Sequence, residues 1–171
     1  MAYEYQNDKK QNYFIHERWS KSGKLSFTCN QHKDGALDAV PEGYEIYEHP
    51  NGQVFCRKIQ KQIITDDEVQ IAKDVIKKHC DIPHVKVDVK KAVISIWTSR
   101  SVIGSIYGNF SSSLRFTLED KKQRTFYAER YCYLGGIDDW IILYEIGNGS
   151  LKEVMEKTVV HLDKESMYEL M

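Results

Sequence analysis

No Cys-x2-Cys pair, no His-Glu-x2-His and no Gly-x-Ser-x-Gly occurs in the 171 residues. Their absence removes the strongest sequence evidence for a paired-cysteine zinc site, a zinc-hydrolase helix or a nucleophile elbow. An excess of one charge is missing too. The 24 basic residues face 25 acidic ones, for a net charge of −1, so no global field draws the chain toward nucleic acid or anionic lipid. Long hydrophobic runs are also absent. The longest, WIILY at 140–144, has the length of a strand and not of a membrane span, so no membrane partner is expected. The opening MAYEYQNDKKQN lacks the apolar core of a secretory signal. The expected setting is therefore the cytoplasm, with the four cysteines kept as thiols.

What is present suffices for a packed core: 42% of residues are apolar, among them 11 tyrosines and 6 phenylalanines. Residues 1–11 are polar and read as disordered. YFIHERW and KLSFTC around SKSG read as a β-hairpin, and YEIYE and QVFCRK as another, closed by Asn51-Gly52 as a two-residue type I′ turn. The two hairpins form a 12–60 unit, expected to pack on a main body of residues 61–171 because sixty residues make a marginal domain.

Thr65 and Glu68 spell a capping box, and Val69, Ala72, Val75, Ile76 and His79 recur at helical spacing behind it, with Pro83 as the stop. VKVDV, AVISIWT, SSSLRFTLE and RTFYAERYCYL follow as strands, and WIILYEI as one more. GNGS then opens a helix over about 150–161, and Asp163 reads as the cap of a last short helix ending at Met171. Strands in succession rather than alternating with helices specify an α+β fold: a largely antiparallel sheet, N-terminal hairpins, one central helix and two C-terminal helices.

Several constellations are candidates for chemistry. Cys29 and His32 have the spacing of two zinc ligands on one turn, and His79, Cys80 and His84 supply further donors, so zinc is the cofactor to test. The competing reading is core packing, since Cys29 continues the face of Leu25 and Phe27, and His79 sits on the apolar arc of its helix. GNGS has the glycines of an anion-binding turn but lacks the third glycine of a dinucleotide fingerprint, that position being Lys152, so it reads as an ordinary turn. Tyr127, Tyr131 and Tyr133 share a strand face, with Arg115 beside them if its strand pairs there. Such a face suits a flat ligand or single-stranded nucleic acid, but the two C-terminal helices are expected to cover it, and the neutral charge disfavours nucleic acid.

The segment TSRSVIGSIYGNFSSS at 98–113 reads equally as a binding loop, with Arg100 as its anion contact and Gly104 and Gly108 as flexible points, and as a short amphipathic helix. The expectation for function is a binding module whose partner is a protein or a small-molecule ligand, held in a cleft between sheet and helices by residues such as Arg100, Arg115, Tyr127 and Tyr131. A zinc protein or a nucleic-acid-processing protein is the alternative. Whether any reaction is catalysed is left open.

Overall fold

The computed structural model describes residues 1–99 and 109–171. The chain forms two compact units, Met1–Gln60 and Lys61–Met171. In the first, β1 (Glu4–Gln6), β2 (Asn12–Trp19) and β3 (Leu25–Asn30) make an antiparallel sheet in that order, and β4 (Tyr44–Glu48) pairs with β5 (Val54–Lys58). Phe14, Ile15, Val54 and Cys56 are buried there, and Phe27 meets Tyr44 edge-on at 4.7 Å.

The hairpin at Asn51-Gly52 exists, but its turn is not the two-residue one expected from the sequence. The closing pair is His49 and Gln53: His49 N–H donates to Gln53 O at 2.8 Å, and Gly52 N–H donates to His49 O at 2.7 Å, with Gly52 at φ +82°. This is a three-residue loop, a type I turn ending in a left-handed glycine bulge. Pro50 is the reason. A two-residue turn on Asn51-Gly52 would need an N–H from residue 50, which proline does not have, whereas proline suits the second position of a type I turn.

The same five-residue ring recurs at the other two hairpins of this unit. Ser20 closes on Lys24 with Gly23 left-handed, and Asn7 closes on Gln11 with Lys10 at φ +61°. Residues 1–11, expected to be disordered, therefore contain β1 and an ordered turn. They are held by polar contacts that composition does not reveal. Asn7 is 2% exposed, and its Nδ2 donates to Gly52 O at 2.7 Å while its Oδ1 accepts from Gln11 N at 2.8 Å. Tyr5 Oη donates to Glu48 at 2.9 Å, and burial, with that carboxylate beside it, pushes its pKa up to about 12.

In the second unit α1 (Asp66–His79) precedes β6 (His84–Lys90), β7 (Val93–Ser99), β8 (Ser111–Asp120), β9 (Thr125–Leu134) and β10 (Ile137–Ile142). A 3₁₀ turn at Tyr144–Ile146, the two-residue β11 (Gly149–Ser150), α2 (Leu151–Val159) and a 3₁₀ helix at Glu165–Leu170 complete it. Every pairing is antiparallel, in the order β10-β9-β8-β7-β6, and β11 also pairs with β9. The fold is α+β.

Thr65 caps α1 as its sequence implies: its side chain accepts from Glu68 N, and Glu68 accepts from Thr65 N. Glu68 also receives Arg124, whose Nε donates at 2.8 Å. One carboxylate thus serves both the helix cap and the β8–β9 turn. Ser150 and Glu153 make a second capping box at α2.

Two details differ from the sequence reading. The strand expected to begin at Trp140 begins at Ile137, because Gly135 and Gly136 both take positive φ and close a two-residue hairpin with β9. It ends at Ile142, after which the chain turns into the 3₁₀ segment. Asp163 does not cap the last helix: it stands at φ +62°, and the cap position is Lys164, with no side-chain bond.

α1 and α2 cover one face of this sheet. Ala72, Val75, Val154, Met155 and Val159 join Ile94, Ile96, Leu114, Phe116, Phe126 and Ala128 in one buried cluster. Burying each large side chain contributes roughly 2–3 kcal/mol, so these rows fix which face of β8 and β9 turns inward. Among the described residues no helix is long and apolar enough to cross a membrane.

Candidate functional site

Among the described residues no group of three or more His, Cys, Asp and Glu side chains comes together to hold a metal ion. Cys29 lies on β3, and burial, with Cys56 nearby, pushes its thiol up to about 11. His32 is exposed, and its backbone O contacts His16 Nε2 at 2.8 Å. Cys80 is the C-cap of α1, its backbone N–H bonded to Ile76 O, and burial raises its thiol pKa. His84 opens β6 and is exposed. His79 Nε2 is buried with no hydrogen-bond partner among the described residues and lies 4.0 Å from Glu156 Oε1. Each of the five side chains thus has its own local surroundings. At GNGS the donors of the helix start are met by the chain itself, since Glu153 Oε2 accepts from both Ser150 N and Ser150 Oγ.

Arg115, Tyr127 and Tyr131 do share a face, and α1 and α2 lie on the other one. The expected covering of the tyrosines by these helices is therefore not what the fold does. Inward alternation takes Phe126, Ala128 and Cys132, which leaves the odd-numbered positions of β9 facing away from the helices. Tyr133 is 81% and Tyr131 39% exposed. The Arg115 cation is already committed, however. Its Nε and Nη2 form a bidentate pair with Glu129 at 2.6 and 2.7 Å, its guanidinium stacks 4.4 Å from the Trp140 ring, and Thr117 also donates to Glu129. Glu129 is 6% exposed, so the carboxylate end of this bidentate pair is shielded from water, and the hydrogen bonds to Glu129 raise the Arg115 pKa. Tyr131 meets Trp140 edge-on at 5.5 Å and donates its hydroxyl to Asp138. Arg100, Gly104 and Gly108 lie outside the described residues.

On the helix-covered face is a cleft between the sheet and the C-terminal segment; of the described residues expected to hold a ligand, Tyr131 lines it and Arg115 and Tyr127 do not. It has a volume of about 510 Å³ and lies between the start of β8 (Ser111–Ser113), Arg130 and Tyr131 on β9, and the C-terminal stretch from Leu162 to Tyr168. Arg130 pairs in register with Leu114 and Ile141, so it occupies an inward, otherwise apolar row of β9. Its guanidinium carbon sits 4.3 Å from the centre of the Tyr168 ring. Its Nη1 is buried with no hydrogen-bond partner among the described residues. The signal for Arg130 was present in RTFYAERYCYL: a cation on the side of the strand that carries Phe126, Ala128 and Cys132.

Nearby, His161 Nδ1 and Ser166 Oγ are 2.8 Å apart, a pairing that acyl transfer also uses. Neither residue lines the cleft, and the contact links the end of α2 to the 3₁₀ helix. The chain matches no protein-family model, no curated protein and no solved structure.

Proposed function

We propose that this protein is a binding module that takes a small-molecule ligand in the cleft between the β8–β9 end of the sheet and its C-terminal segment. The observation that carries this reading is the cleft itself. Its volume of about 510 Å³ falls in the usual range for ligand pockets, and its lining joins apolar Leu162 and Met167 to a few placed polar groups. Strands supply one wall, which makes that wall rigid. The other wall is a short 3₁₀ helix, an element of poorer hydrogen-bond geometry that adjusts more readily to an occupant. A nucleic-acid surface on the opposite face would need available cations, and Arg115 there is neutralised by Glu129.

Amide chemical-shift mapping with a library of small fragments tests the reading. Binders should shift resonances of residues 111–113, 130–131 and 162–168 together. Shifts confined to Tyr127, Trp140 and their neighbours, or no binders at all, would refute it.

A further inference from the structure

The cleft contains one group whose chemistry is incomplete. A guanidinium carries five N–H donors and no acceptor, and leaving one of them buried and unbonded costs free energy. Among the described residues, Arg130 Nη1 is in that state. The side chain is nevertheless held in place, with its guanidinium carbon over the Tyr168 ring and its backbone in register between Leu114 and Ile141. A half-buried cation whose inner nitrogen is short of an acceptor is pre-organised for an oxyanion.

From this we infer that the cleft recognises the carboxylate of a small organic acid, bound end-on by Arg130, with the apolar body of the acid lying along Met167 and Leu162. This rests on the reading of the cleft as the ligand site. A carboxylate is favoured over a phosphate by shape and charge. Its two oxygens match the planar fork of one arginine. The other charges on the walls also oppose a dianion: Asp163 and Glu165 are both present, and Lys164 is drawn toward Asp81 at 3.5 Å. Hydroxyl donors come from the serines at the start of β8. Of these, Ser113 already bonds Thr98 and Ser111 O, and Ser111 and Ser112 line the cleft beside it.

Calorimetric titration of the full chain with three probes of one skeleton tests the inference: 3-phenylpropionate, the uncharged 3-phenylpropanol, and phenethyl phosphate. The acid should bind about 10- to 100-fold more tightly than the alcohol, the span expected of a hydrogen-bonded charge pair. Arg130→Gln should remove that preference. Tyr168→Leu, at an exposed position, should weaken acid binding several-fold while leaving the circular dichroism unchanged, which covers the case in which Arg130→Gln fails to fold. Equal binding of acid and alcohol, or acid binding untouched in both variants, would overturn the carboxylate assignment and leave the cleft as a ligand site. Tighter binding of the phosphate would overturn the carboxylate in favour of a dianion. Failure of every probe to bind would overturn the cleft reading as well.

Discussion

Lys10, Gly23 and Gly52 occupy the same position in three copies of one turn, and they separate two costs that usually come together. A left-handed φ is strained for any residue with a Cβ, by roughly 1 kcal/mol. Lys10 bears that strain at φ +61° in an exposed position, so Lys10→Gly should stabilise the protein by about 0.5 kcal/mol despite the entropy glycine adds to the unfolded chain. A Cβ added at Gly23 has open space around it, so Gly23→Ala should cost about 1 kcal/mol from backbone strain alone. At Gly52 the same atom would lie 3.0 Å from Lys9 Cδ and 3.3 Å from Asn7 Nδ2, and Asn7 is pinned by its own bond to Gly52 O. Gly52→Ala should therefore be the most damaging of the three. Denaturant midpoints of the three variants check the order; equal effects of Gly23→Ala and Gly52→Ala would mean that Asn7 yields.

At the scale of elements, the starts of the two α-helices were the most legible features, because a capping box is a chemical statement made within four residues. Thr65 with Glu68 declares itself, and Ser150 with Glu153 uses the same spelling at the end of GNGS. What the local pattern cannot convey is a second use of the same side chain. Glu68 also holds Arg124, 56 residues away. Thr65→Ala should cost about 1 kcal/mol, the ordinary value of a lost cap. Glu68→Ala should cost about 2–3 kcal/mol, because it also strands a partly buried arginine. Urea unfolding of both variants, with Arg124→Met as a control, measures the difference. A Glu68→Ala effect no larger than that of Thr65→Ala would reduce the Arg124 contact to a surface pair. Strand alternation was equally legible, and the inward rows of β8 and β9 follow it. Which face the helices would take was not, since that depends on chain connection rather than on any one strand. The same limit hid the cleft: its two walls come from residues 111–131 and 162–168, and no local pattern joins them.

At the scale of the whole molecule, the chain divides at residues 60 and 61, and the apolar cluster of the second unit draws all its members from Ile63 onward. Residues 61–171 expressed alone should therefore unfold in one cooperative thermal transition with the circular dichroism of a mixed α+β fold. A gradual, sloping melt would mean that residues 1–60 complete this core. The first unit is smaller, with few fully buried side chains, and much of its definition comes from its turns. Each of the three turns closes a ring of five residues, so the entropy lost in bringing its ends together is small, while the Asn7 turn also leans on the one at 49–53 through its bond to Gly52 O. The kinetic consequence is that strand register in this unit can be set locally at 20–24 and 49–53 before any long-range contact exists, with the Asn7 turn completed on the second of these. Its sheet should assemble quickly for a β structure, by zipping outward from turns already in place.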